Sequence, residues 1–185
     1  MALMILGLVL WAGAHLFKRL MPAQRAAMGT AGKGVVALVL GASVVAMVLG
    51  YRWADFVPVW SPPAVMVHVN NAAMLLAFWV YGSSAAKGAK AWPASTIRHP
   101  QLTAVKIWAV AHLLVNGDLA SIILFGGMLA WAVAEVIVIN RAEPGWAAPL
   151  HAGRATYIRL SVITVVIFAI VTAIHTWAGV WPFPS

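Results

Sequence analysis

Six long apolar runs, separated by short polar segments, constrain this sequence more than any other feature. The runs cover residues 1–17, 35–50, 64–81, 101–115, 119–139 and 157–177. Their lengths approach the roughly 20 residues that an α-helix needs to cross the hydrocarbon core of a bilayer. Only 9% of the residues are charged, whereas a soluble domain carries about a quarter. We therefore predict an all-α integral membrane protein, a polytopic bundle of six transmembrane helices.

Positive charge alternates between the segments that join these runs. Three basic segments hold four, three and three Lys or Arg residues, and they cover residues 18–33, 82–98 and 140–159. The segments between them, residues 51–63 and 116–118, have no excess of cations. Because basic loops stay on the cytoplasmic side, both termini are expected outside. The formal net charge of +8 thus reflects membrane orientation, and we expect the lipid bilayer as a partner and no nucleic acid.

The chain contains no cysteine. Disulfides, iron–sulfur clusters and thiolate ligands to haem are therefore excluded. Any metal must be held by His, carboxylate or carbonyl groups. The sequence also contains no HExxH motif, no glycine-rich phosphate loop and no serine nucleophile motif.

Within the apolar runs, polar side chains that could bind a ligand are most frequent in residues 97–118. His99 can cap a helix, and Pro100 suits its first turn because no N–H is needed there. At about 100° per residue, one narrow helical face then holds Gln101, Trp108, His112 and Asn116. Polar groups inside hydrocarbon are costly unless they pair or bind a ligand.

The sequence Asn116-Gly117-Asp118 is a turn signal. A single helix over residues 101–139 would be about 58 Å long, twice the thickness of a bilayer. We therefore predict that this turn separates two helices in a hairpin.

Three histidines lie within the predicted membrane helices: His15, His68 and His112. Two of them share a local pattern, Trp11-Ala-Gly-Ala-His15 and Trp108-Ala-Val-Ala-His112. Small residues beside an imidazole leave room for a flat macrocycle, on which a Trp one turn away can stack. Histidines on separate helices, with no thiols, suit haem b held by two imidazoles. The alternative is that each histidine hydrogen-bonds a neighbouring helix.

Depth within the membrane distinguishes the possible pairs of iron ligands. His112 and His68 lie at a similar depth in the outer half of their predicted helices. His15 lies about 12 Å closer to the cytoplasmic side than His112 does. His112 is therefore the firmest candidate for an iron ligand. His68 lies closer to the membrane depth of His112 than His15 does, so it is the better second ligand by this criterion.

Four further residues are candidates for contacts with the cofactor: Arg98, His99, Trp108 and Asn116. Arg98 and His99 are expected at the cytoplasmic interface, where they suit a phosphate or a haem propionate. For Arg98 taken alone, positive-inside anchoring is the favoured explanation. Asn116 is also a residue type that a turn favours for its own sake.

Glu135 is expected in a buried ion pair, since it lies near the depth of Arg98 and Lys106. His151 and His175 are interpreted as structural, because one lies in a loop and the other near the outer surface. No residue is assigned a catalytic role.

With these residues in view, the chain resembles the NnrU family of bacterial membrane proteins, of which plant zeta-carotene isomerase is a distant member. The resemblance rests on three motifs, with WSPP-x4-His68 and the first-run His15 as further matches. The motifs are Arg98-His99-Pro100-Gln101, Trp108-Ala109-Val110-Ala111-His112 and Asn116-Gly117-Asp118. The resemblance implies a single NnrU-like transmembrane domain over residues 1–185, multi-pass in the bacterial inner (cytoplasmic) membrane.

The bacterial side of the resemblance implies a link to denitrification and nitric oxide metabolism. The isomerase side implies haem b and cis–trans isomerisation of a polyene, with the ligand positions falling on His15 and His112. We therefore expect haem b on His112 and either His68 or His15, used for electron transfer or gas sensing. Two alternatives stay open: a haem-dependent isomerase of an apolar polyene, and a non-catalytic accessory protein for nitric oxide reductase. An apolar substrate, nitric oxide and a second copy of the chain are the expected partners besides lipid.

Overall fold

The computed structural model describes residues 1–183, and the prediction of an all-α protein is confirmed. Within that range the chain forms seven helices: α1 (Ala2–Leu20), α2 (Pro22–Ala27), α3 (Ala31–Arg52), α4 (Met66–Gly82), α5 (Pro100–Leu113), α6 (Leu119–Ala142) and α7 (Arg154–Trp177). Four of them, α1, α3, α6 and α7, are long and apolar enough to cross a membrane.

The two remaining predicted spans form shorter helices. Helix α4 has 17 residues and α5 has 14. At 1.5 Å per residue α5 measures about 21 Å, which is less than the roughly 30 Å of hydrocarbon. Six membrane crossings, and the placement of both termini outside, therefore stay predictions.

Helix α5 starts at the residue predicted from the sequence. His99 occupies the N-cap position and Pro100 is the first helical residue. The His99 side chain makes no capping hydrogen bond. The helix therefore starts there because the backbone before Pro100 is held out of the helical region, with His99 at φ −122° and ψ 63°.

The predicted break at Asn116-Gly117-Asp118 is present between α5 and α6. The Asp118 carboxylate caps α6 by accepting hydrogen bonds from the Ser121 backbone N–H at 2.9 Å and from the Ser121 hydroxyl. The loop after α3 is tied to this cap. The N–H groups of Val59 and Trp60 donate to the Gly117 carbonyl at 2.8 and 3.0 Å. The loop is thereby pinned to the start of α6.

The chain divides into two compact units, each made of two separate stretches. The first unit comprises Met1–Ser61 and Gly117–Pro144, and it contains α1, α2, α3 and α6. Helices α1 and α3 approach at backbone distance. A Cβ added at Gly7 would lie 2.8 Å from the Met47 backbone nitrogen, and one at Gly50 would collide with the Met4 backbone. Glycine is therefore required at both crossings.

The second unit comprises Pro62–Asn116 and the segment from Gly145 onward, and it contains α4, α5 and α7. Helix α4 packs against both α5 and α7. The buried positions of α5 are its alanines, Ala104, Ala109 and Ala111. The two alanines near His112 therefore serve helix packing, whereas the sequence analysis expected them to leave room for a macrocycle.

Candidate functional site

His112 lies in the last turn of α5, within the second unit. Its Nδ1 is 2.9 Å from the carbonyl oxygen of Trp108, one turn earlier. A carbonyl can only accept a hydrogen bond, so Nδ1 carries the proton and Nε2 carries the lone pair. Metal-binding imidazoles usually hold this tautomer, because the bond to the carbonyl orients the ring and makes the other nitrogen more basic.

Two other residues of the predicted helical face contact His112, one at its ring and one at its backbone carbonyl. The Trp108 ring lies 5.2 Å from the His112 ring, centroid to centroid, at an angle of 51°. The Asn116 amide donates to the His112 carbonyl at 2.8 Å and so closes the end of α5. Gln101, at the opposite end of the helix, is exposed. Trp108, His112 and Asn116 therefore come together as predicted, and Gln101 does not join them.

His175, which is interpreted from the sequence as structural, is a second helical imidazole in the unit of His112. It lies in the last turn of α7 in the same unit, and its Nδ1 bonds the Val171 carbonyl at 2.8 Å. Helices α5 and α7, which carry His112 and His175, both pack against α4. Both residues stand at the C-terminal ends of helices whose predicted outer ends lie on one side of the membrane. That shared depth is the sequence signal that would have identified His175.

His68 also belongs to the second unit, where it lies exposed in the first turn of α4. Because α4 packs directly against α5, His68 and His112 occupy two neighbouring helices. Arg98 and His99 precede the first turn of α5, about 20 Å along the helix axis from His112. A cofactor contact for Arg98 or His99 stays a prediction, and the geometry around His112 does not depend on it.

His15 belongs to the first unit and repeats the local geometry of His112. Its Nδ1 lies 3.0 Å from the Trp11 carbonyl. The ring packs against two indoles, with centroids 4.3 Å from Trp11 and 4.7 Å from Trp131, and the two indoles contact each other at 5.3 Å. Both indole N–H groups are buried and have no hydrogen-bond partner within residues 1–183. The repeated WAxAH pattern therefore fixes the imidazole in the same way in both units.

Glu135 forms the buried ion pair that the sequence analysis expected. Its carboxylate accepts a hydrogen bond from Arg19 at 3.0 Å, and the side chain is 6% exposed. The partner is Arg19 of α1, whereas the expectation pointed to Arg98 or Lys106. Arg19 also reaches the exposed Glu143 at 3.4 Å. The spacing of Trp11, His15 and Arg19, each four residues apart, is the signal that would have identified this face of α1.

A metal ion bound by three or more side chains is not indicated. Residues 1–183 contain no group of at least three His, Asp or Glu side chains placed to hold one. Haem b requires only one or two imidazoles because the porphyrin supplies the other four nitrogens. Among the histidines that lie within helices, His68, His112 and His175 belong to the second unit and His15 belongs to the first.

Comparison with known proteins gives one family. The family model described as NnrU protein matches residues 3–182, nearly the whole chain. The match includes both units and every histidine discussed above. Searches of curated proteins and of solved structures give no significant match.

Proposed function

Because this chain belongs to the NnrU family, we propose that it is a membrane protein that binds haem b and serves nitric oxide metabolism in denitrification. Four apolar helices of spanning length support the membrane location. The observation that supports the cofactor proposal is the tautomer of the His112 imidazole. Its Nδ1 proton is directed at the Trp108 carbonyl, so its Nε2 is the atom that would ligate iron.

The second ligand is proposed from the same unit. His175 has the same bond from Nδ1 to a carbonyl, and its helix packs against α4 as α5 does. His68, the partner expected from the sequence, lies on a helix that packs against α5. We place His175 first, because its ring tautomer is already fixed by the Val171 carbonyl. His15 stays a prediction from the sequence.

The protein side chains would orient and shield the cofactor. Trp108 lies against His112 and presents an aromatic surface beside the ligating ring. Asn116 holds the last carbonyl of the turn, which keeps the His112 backbone in place. When bound, haem with two imidazole ligands supplies reversible one-electron transfer, and with one imidazole it offers a coordination position to a gas such as nitric oxide.

An absorption spectrum of the purified full-length protein, expressed with ample haem, tests the proposal. We expect a Soret band that shifts on reduction. His112→Ala is expected to lower haem content at least tenfold. His151→Ala is the matched control, because His151 is exposed and its bridge to Lys90 uses only the backbone.

A colourless wild-type protein would overturn the proposal. That result would favour the non-catalytic accessory protein for nitric oxide reductase. The isomerase alternative requires the same cofactor, so it would be overturned by the same result. Equal haem loss in His112→Ala and His151→Ala would also contradict the assignment of His112.

A further inference from the structure

A basic groove lies in the first unit, between the cytoplasmic ends predicted for α1 and α3. Its volume is about 330 Å³. Helices α1, α2 and α3 contribute four cations to its lining: Lys18, Arg19, Arg25 and Lys33. We use the term basic groove for the cavity that these four residues line.

The positive charge of the groove is mostly unbalanced. The first acidic residue of the chain is Asp55, after the end of α3. Within residues 1–183, Arg19 is the only cation of the groove with a carboxylate inside 4.0 Å. Lys18, Arg25 and Lys33 therefore present three positive charges to the cavity, and a bound anion would be attracted to them.

Arg25 is held in position by the loop between α2 and α3. Its guanidinium rests on Gly32, where an added Cβ would collide with Nη1 and lie 2.8 Å from the Met28 Cβ. The same Nη1 donates to the Gly29 carbonyl at 3.4 Å. Gly29 itself has φ +54°, a conformation that favours glycine. Gly29 and Gly32 therefore hold the Arg25 guanidinium in place.

The groove has an apolar wall as well as a charged one. Ala14 and His15 of α1 also line the cavity, and its apolar wall is formed by Val36, Ala37 and Leu40 of α3. These three α3 residues follow Lys33 along a helix that is long and apolar enough to cross a membrane. An occupant that satisfies both walls needs an anionic group at one end and a hydrocarbon chain at the other.

We propose that the basic groove binds one anionic glycerophospholipid through its phosphodiester headgroup. Arg25, Lys18 and Lys33 would contact the phosphate oxygens, as guanidinium and ammonium groups do in other phosphate sites. The acyl chain would lie along Val36, Ala37 and Leu40. The proposal does not depend on the haem site of the second unit, since it uses neither His112 nor His175 nor His68. His15, a candidate iron ligand from the sequence, lines the same groove but is not needed to bind the phosphate.

The test is lipid binding to the full-length protein in detergent, measured by native mass spectrometry. The probes are phosphatidylglycerol and phosphatidylcholine with the same acyl chains. The variant Arg25→Gln/Lys33→Gln is compared with Lys87→Gln/Arg154→Gln, which removes one Arg and one Lys at exposed positions outside the groove.

We expect the wild-type protein to prefer phosphatidylglycerol. Each cation near an anionic surface contributes about fivefold to affinity, so the groove variant should bind about 25-fold more weakly. The control variant should stay within about twofold of the wild type. Gly32→Ala, which leaves the net charge unchanged, should weaken binding by displacing Arg25.

Three results would overturn the proposal. One is equal binding of the two lipids, and another is equal weakening in both double variants, which would indicate unspecific attraction. The third is competition by millimolar inorganic phosphate as effective as that by phosphatidylglycerol, which would make the apolar wall irrelevant. Unchanged thermal unfolding of both double variants shows that the comparison is made on folded protein.

Discussion

His15 and His112 have the same local sequence pattern and the same hydrogen bond, but they belong to units with different surroundings. In each, Nδ1 donates to the carbonyl of the Trp four residues earlier. His15 then packs against a second indole, Trp131, whereas His112 lies in the unit that also contains His68 and His175. The hydrogen bond within the helix orients each imidazole, and the neighbouring helices determine which side chains surround it.

The largest expected effect tests which of the two histidines belongs to a haem site. His175→Ala should lower haem content at least tenfold, because it removes the second proposed ligand. His15→Ala should leave haem content within about twofold of the wild type. Haem content per protein, measured by the pyridine haemochrome spectrum, checks both. The reverse result would assign the cofactor to the motif of the first unit and end the proposed contrast.

The next largest effect concerns the ion pair between Glu135 and Arg19, which lies one helical turn after His15. Glu135→Ala should lower the free energy of unfolding by about 3 kcal/mol, since Arg19 would lose its buried partner. Glu143→Ala should cost less than about 1 kcal/mol, because its carboxylate is 56% exposed. Chemical denaturation in detergent measures both variants. Equal costs would indicate that water already solvates the pair.

A smaller effect tests the packing of the first unit. Gly50→Ala should cost about 2 kcal/mol, since the added Cβ would collide with the Met4 backbone. Gly41→Ala lies on the same helix and its Cβ would meet nothing within 4 Å. That control should be neutral or stabilise the helix by up to about 1 kcal/mol. Thermal unfolding of the two variants compares them directly, and a neutral Gly50→Ala would contradict the close crossing of α1 and α3.

The smallest expected effect concerns the turn that holds His112. Asn116→Ala removes one hydrogen bond to the His112 carbonyl, so it should cost about 1 kcal/mol. If this bond also positions the imidazole, haem affinity should fall a few-fold while the haem spectrum keeps its band positions. A shifted spectrum would instead make Asn116 a direct contact of the cofactor.

Local features of the fold were predictable from the sequence, and long-range pairings were not. Pro100 marked the start of α5, and Asn116-Gly117-Asp118 marked its end, because both act through the backbone of adjacent residues. The partner of Glu135 was not identified, since Arg19 lies 116 positions away and only tertiary packing brings the two together.

Two other differences have similar causes. Residues 18–33 were interpreted as a loop, yet they contain the six-residue helix α2, which starts at Pro22 because Met21 leaves the helical region. His175 is interpreted as structural from its position near the outer surface, since no local pattern indicates that α7 belongs to the same unit as His112. The local pattern of His175 lacks the Trp that drew attention to the other two histidines.

The assembly of each unit from two distant stretches has a consequence for biosynthesis. Helix α1 leaves the ribosome more than a hundred residues before α6, so Arg19 is inserted long before Glu135 exists to neutralise it. During that interval its charge must be solvated by water and lipid phosphates near the membrane surface. We therefore expect Arg19 to stay without its buried partner until α6 has been synthesised.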